Sequence, residues 1–164
     1  MNTNFFDFEI EREFKCTPSV LFRAWADPAI KAKWFHGPGA WVETGRALDL
    51  REGGVETMTG DFPGRFTTSY TAHFYDVQQD SRIGYSFEVR LGGEIYSIST
   101  VVVEFHKSKY GTTMQYHEQI AVFNQAATSE HTFNLQETRA NRIMGTQGHF
   151  DSLTGYLETC KETH

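Results

Sequence analysis

Thiols are scarce in this 164-residue chain, whose two cysteines are Cys16 and Cys160. Far apart and without a second pair, they can build neither a CxxC redox motif nor a zinc knuckle, and reduced thiols are expected. Positive charge is also short. Fifteen Lys plus Arg stand against 21 Asp plus Glu, a formal net charge of -6, so the basic footprint that condenses onto phosphate backbones is missing and nucleic acid is disfavoured as a partner. No apolar run approaches the roughly 20 residues needed to cross a bilayer, and the first five residues lack the basic and apolar regions of a signal peptide. These absences predict a cytoplasmic protein without membrane insertion. GxSxG, Walker and GxGxxG motifs are missing, and Gly145-Thr146-Gln147-Gly148 is too sparse to cradle a phosphate. Serine hydrolases, nucleotide-binding enzymes and dehydrogenases of the usual type are thereby disfavoured. The histidines at 36, 73, 106, 117, 131, 149 and 164 follow no HxH, HExxH or two-His-one-carboxylate spacing, so neither metal nor cofactor is expected.

Aromatic residues, by contrast, are plentiful: 14 Phe, 7 Tyr and 3 Trp make up 15% of the chain. A chain of this length is expected to fold around one core, a single domain over residues 1–164. Phe6, Phe8, Ile10, Arg12 and Phe14 alternate with charged residues, which predicts a half-buried opening strand. Thr17 is an N-cap candidate with Pro18 at the first helical position, and Val20, Leu21, Ala24 and Trp25 form an apolar stripe that ends at Ala26. Asp27-Pro28 starts a second short helix over residues 28–33, and His36-Gly37-Pro38-Gly39 breaks the chain. Strands are then expected over 41–51, 54–60, 69–78, 81–91, 94–107 and 111–123. The turn at Glu52-Gly53-Gly54, the tight-hairpin signal Gly92-Gly93 and the loop Ser108-Lys109-Tyr110-Gly111 favour antiparallel neighbours.

Residues 124–130 carry little periodicity and residues 137–141 are rich in charge and amides, so both read as loop with at most a short helix. From Thr146 onward Phe150, Leu153, Leu157 and Cys160 recur at three and four residues, predicting a C-terminal amphipathic helix. Such a helix, about 17 residues long, spans roughly 25 Å and cannot fill the whole hollow of a strongly curved seven-stranded sheet. A cavity between helix and sheet follows.

Several stretches together resemble a known family. Asp27-Pro28 with Lys33-Trp34, Asp49-Leu50-Arg51-Glu52-Gly53-Gly54, Tyr75-Asp76-Val77 with Arg82-Ile83 and Tyr85-Ser86, Val103-Glu104-Phe105, Gly111-Thr112 and Glu118-Gln119 are similar, in this order, to the activator of heat-shock-protein 90 ATPase homologue family. That family lies within the START-like (SRPBCC, helix-grip) superfamily. The resemblance implies an α+β helix-grip fold of the START/Bet v 1 kind: a curved antiparallel sheet of about seven strands around a long C-terminal helix, with two short helices after the first strand. It also implies a small hydrophobic ligand, or else a chaperone-ATPase-stimulating or other protein-interaction role. Two departures stand out. Gly148-His149-Phe150 occupies the place of the family's frequent Gly-Trp, which puts Phe150 at the Trp position, and residues 129–142 make a longer connection into the helix.

The candidate site follows from strand faces. Ile83, Tyr85, Phe87, Val89 and Leu91 share one face, so Tyr85 and Phe87 either line a ligand cavity, with the Tyr hydroxyl as a polar handle, or belong to an ordinary core. Met114, Tyr116, Glu118 and Ile120 share the more apolar face of the last strand. If that face points inward, Glu118 is a carboxylate in an apolar space, with a raised pKa and a candidate acid or base for a cyclase- or hydrolase-like reaction. The alternative is a paired or solvated carboxylate at the cavity rim. Strand 94–107 has Tyr96 and Ile98 on one face but Val101, Val103 and Phe105 on the other, and a bulge near residues 99–102 reconciles them by placing Tyr96 and Ile98 in the cavity. The expected lining is therefore Trp34, Tyr85, Phe87, Tyr96, Ile98, Met114, Tyr116, Glu118 and Phe150. His149 either approaches the cavity mouth or sits on the surface. An open sheet edge leaves room for a homodimer.

Overall fold

The computed structural model describes residues 3–123 and 134–161. Strand β1 (Thr3–Phe14) is followed by helices α1 (Pro18–Ala26) and α2 (Pro28–Trp34). Six strands then run in succession: β2 (Val42–Leu48), β3 (Val55–Phe62), β4 (Phe66–Gln78), β5 (Arg82–Leu91), β6 (Glu94–Ser108) and β7 (Gly111–Phe123), before the closing helix α3 (Leu135–Lys161). The seven strands form one antiparallel sheet in the order β1-β7-β6-β5-β4-β3-β2. The return of β1 to pair with β7 brings the start of the chain beside the last strand. This is the expected helix-grip α+β architecture.

The local signals act as their chemistry dictates. Thr17 accepts a hydrogen bond from the Val20 amide at 3.3 Å, and Pro18 opens α1. Asp27 ends α1 and caps α2, accepting from the amides of Ala29 and Ile30 at 2.9 and 3.2 Å. At the Gly53-Gly54 turn, Gly53 has φ 79°, a region a side chain resists. A Cβ on Gly54 would collide with the Asp49 carbonyl. Gly60 in β3 is needed for a different reason, because the Trp41 indole lies flat against it and leaves no space for a Cβ. Trp41 Nε1 donates to Thr68 Oγ1 at 2.8 Å, which fixes the loop after α2 to the sheet.

Period-2 burial puts Phe8, Ile10 and Phe14 of β1, Ile83, Tyr85 and Phe87 of β5, and Met114, Tyr116, Glu118 and Ile120 of β7 on the concave face. Arg12, on the same face of β1, reaches α3 and bonds Asp151 at 2.8 Å and Gln147 at 2.5 Å. Phe150, Leu153 and Leu157 are the buried stripe of α3.

Two expectations need correction. Helix α3 is 27 residues long, about 40 Å at 1.5 Å per residue, and begins at Leu135 instead of Thr146. Residues 137–141 read as loop because they are rich in charge and amides, yet Asn134 caps this turn of helix, its Oδ1 accepting from the Glu137 amide at 3.0 Å. The loop expected over residues 124–130 lies outside the described residues. The bulge in β6 sits at Tyr96, where Val89 pairs with Ser97 but Arg90 pairs with Ile95. From Ser97 onward alternation is regular, so Ser97, Ser99, Val101, Val103 and Phe105 all face inward.

Candidate functional site

The hollow of the sheet is not filled. Between β3–β7, the α2 end and α3 lies a cavity of about 480 Å³, within the usual range for small-molecule sites. Its wall is built from facing strand positions and one helix stripe. The sheet contributes Tyr85, Phe87, Val89 and Leu91 of β5, Tyr70 and Thr68 of β4, Met58 of β3 and Tyr116 with Glu118 of β7. The β3–β4 hairpin adds Phe62 and Phe66 near its tip, their rings 5.2 Å apart. Trp25, Lys31, Trp34 and Phe35 come from the short helices and their exit.

Trp34 is held by its Nε1, which donates to the Ala24 carbonyl at 2.9 Å, and it stacks edge-on against Trp25 at 5.0 Å. Phe150 lies near Tyr116 at 5.3 Å, Trp25 at 6.2 Å and Trp34 at 6.5 Å. Tyr70 stacks between Phe35 and Phe87, 5.1 and 5.0 Å away. Aromatic groups packed edge-on or offset in this way hold one another rigid and present ring faces to a guest.

The other wall is polar. Thr138, Asn141, Arg142, Gly145, Thr146 and His149 line the cavity from α3, and their spacing of three and four residues puts them on one helix face. The Arg142 guanidinium reaches Glu118 at 3.4 Å and Ser97 Oγ at 2.7 Å, and it lies 5.8 Å from the Phe87 ring centre. Glu118 is 1% exposed and receives two further donors, the Tyr116 hydroxyl at 2.5 Å and Ser99 Oγ at 3.1 Å. Burial raises its pKa above the ordinary carboxylate value, opposed by Arg142, Tyr116 and Ser99. A second buried pair, Lys31 with Glu56 at 2.6 Å, stands among the rings of Trp25 and Phe35.

Burial also pushes the hydroxyl pKa values of Tyr70, Tyr85 and Tyr116 well above the usual tyrosine value, with Glu56, Glu118 and Tyr85 respectively adding to it. All three hydroxyls are neutral at pH 7. His149 donates from Nε2 to the His36 carbonyl at 3.0 Å and meets Phe35 edge-on. Burial lowers its pKa to about 4, so the neutral ring closes the gap between α3 and the loop after α2.

Of the nine residues expected to line the cavity, Trp34, Tyr85, Phe87, Tyr96, Tyr116, Glu118 and Phe150 do so. Two do not. Ile98 points to the convex side and is 45% exposed, because the bulge lies before it instead of after it. Met114 is fully buried in the core, beyond the cavity floor. Thr138, Asn141, Arg142 and Gly145 escaped the sequence reading because they stood before the expected helix start at Thr146, and the missed signal was the pattern Asn134-Leu135-Gln136-Glu137, an amide cap followed by an acid at the third position. Lys31 was missed because a lysine inside a seven-residue helix reads as solvated. Among the described residues no group of three or more His, Cys, Asp or Glu side chains could hold a metal ion. No helix among them is long and apolar enough to cross a membrane.

Comparison with known proteins agrees with this fold. The family model described as Activator of Hsp90 ATPase homolog 1-like protein matches residues 15–158. Among solved structures, an uncharacterised protein from Rhizobium leguminosarum is 31% identical with a TM-score of 0.83, over 96% of this chain and 97% of that one. A protein from Rhizobium loti is 28% identical with a TM-score of 0.80, over 95% of this chain and 99% of its own. An AHSA1-like protein from Aeromonas hydrophila, 23% identical with a TM-score of 0.66 over 95% and 94% of the two chains, shares the fold. Among the curated proteins nothing matches.

Proposed function

We propose that this chain, which belongs to the Activator of Hsp90 ATPase homolog 1-like family of the SRPBCC superfamily, binds one small hydrophobic or aromatic molecule between the sheet and α3. The observation that carries this reading is the cavity of about 480 Å³ walled by aromatic rings. Apolar area removed from water there contributes about 25 cal/mol per Å², and the ring faces of Tyr85, Phe87 and Phe150 are already fixed before a guest arrives. Binding therefore costs little side-chain ordering.

The test is a fluorescence titration with the uncharged fluorophore N-phenyl-1-naphthylamine. Saturable enhancement at one site is expected, and it is expected to be lost in Gly145→Phe. A Cβ at position 145 meets nothing within 4 Å, so the added ring enters the cavity without displacing the fold. Absence of saturable enhancement, or enhancement unaltered in a folded Gly145→Phe protein, would contradict the proposal.

A second reading, proton transfer by Glu118 to or from a bound substrate, is favoured by the raised pKa of that buried carboxyl. Against it stand the three donors that already occupy both oxygens. Its signature would be a turnover whose pH dependence disappears in Glu118→Gln.

A further inference from the structure

The polar wall of the cavity says more about the guest than the aromatic wall does. Among the described residues, each charged side chain lining the cavity is already paired within the protein: Arg142 with Glu118 and Lys31 with Glu56. An ion entering the cavity finds no net charge to meet. It would have to shed its water and meet pairs whose charges already cancel, so the cost of desolvating it is not returned.

Hydrogen-bonding capacity, in contrast, is left over. A guanidinium has five N–H groups and no acceptor, and Arg142 uses two of them, on Glu118 and Ser97. The Tyr70 hydroxyl, on a side chain 8% exposed that lines the same cavity, has no hydrogen-bond partner among the described residues. Because the spare groups on Arg142 only donate, whatever satisfies them must accept. The Arg142 plane also sits 5.8 Å from the Phe87 ring centre, so an acceptor near the guanidinium belongs to a molecule whose rings lie against Phe87 and Tyr70.

We infer that the ligand is an uncharged aromatic compound with a carbonyl or similar acceptor oxygen on one edge, held by Arg142 and Tyr70, and that the site rejects carboxylates and ammonium ions of the same size. This rests on the ligand-binding reading above and sharpens it to a chemical class.

Four two-ring probes that differ only at the central carbon separate the cases: benzophenone, diphenylmethane, diphenylacetate and aminodiphenylmethane, each titrated against the full chain by calorimetry. Benzophenone is expected to bind at least tenfold more tightly than the hydrocarbon and than either ion. In Arg142→Met, and to a smaller extent in Tyr70→Phe, the ratio of ketone to hydrocarbon affinity should collapse toward one, with circular dichroism verifying that each variant is folded. Equal affinity for ketone and hydrocarbon in the wild type would overturn the inference while leaving hydrophobic binding intact. Tightest binding of diphenylacetate or of aminodiphenylmethane would overturn it by showing a site that reads charge. Binding of none of the four would overturn it together with the reading beneath it.

Discussion

At the scale of single residues, Glu118 and His149 are the carboxyl and the imidazole of the cavity wall whose pKa values the fold shifts, and they pull stability in opposite directions. Glu118 is held above its ordinary value of 4.5 by burial. Between that value and its folded pKa the native chain binds more protons than the unfolded one, so its contribution is full below 4.5 and is lost as pH rises through the folded pKa. His149 is depressed from 6.5 to about 4, so its contribution is present above 6.5 and is lost as pH falls toward 4. Urea unfolding from pH 4 to 8 therefore has a specific expected form. The stability of wild type minus that of Glu118→Gln declines as pH increases, then levels off, whereas wild type minus His149→Gln grows as pH rises from about 4 to 6.5. Flat differences, or slopes of the reverse sign, would contradict the burial account. The raised Glu118 pKa was expected from alternation in β7, which turns the carboxylate inward, but its donors from β6 and α3 were not legible, and neither was the burial that lowers His149.

At the scale of elements, the strands and both short helices were legible because their signals are local. Thr17-Pro18 and Asp27-Pro28 set helix starts through short-range hydrogen bonds, and Gly92-Gly93, with φ of 59° and 84°, supplies the two left-handed positions that a tight hairpin requires. Helix α3 was legible only where it packs. Its second half carries Phe150, Leu153 and Leu157 on the core, but its first half faces the cavity and solvent, where no apolar period is imposed. The same half contains Gly145 in mid-helix, with open space where a side chain would stand. Glycine costs a helix interior up to about 1 kcal/mol relative to alanine, so Gly145→Ala is expected to raise the unfolding free energy by about 0.5 to 1 kcal/mol, measured by denaturant titration. A loss of stability would mean that the glycine is required by a close approach, against the geometry.

At the scale of the whole molecule, one relation between parts carries the account. A seven-stranded sheet bent around a single helix has more concave surface than the helix covers, and that disproportion was readable from element lengths even though α3 is longer than expected. The extra turns do not fill the hollow; they extend along its rim and supply Thr138, Asn141 and Arg142 to its wall. What alternation could not give was the exact place of the β6 bulge, since an extra residue at Tyr96 instead of at residues 99–102 inverts which side chains between them face inward. Ile98 consequently lies with Phe5 and Ala121 along a second groove on the convex face. That groove provides the sharpest control for the central claim. The deciding measurement is a set of intermolecular nuclear Overhauser effects between N-phenyl-1-naphthylamine and the isotope-labelled protein. Contacts to Tyr85, Phe87 and Phe150 are the expected result; contacts confined to Phe5 and Ile98 would place the guest outside the sheet and contradict a cavity built for binding.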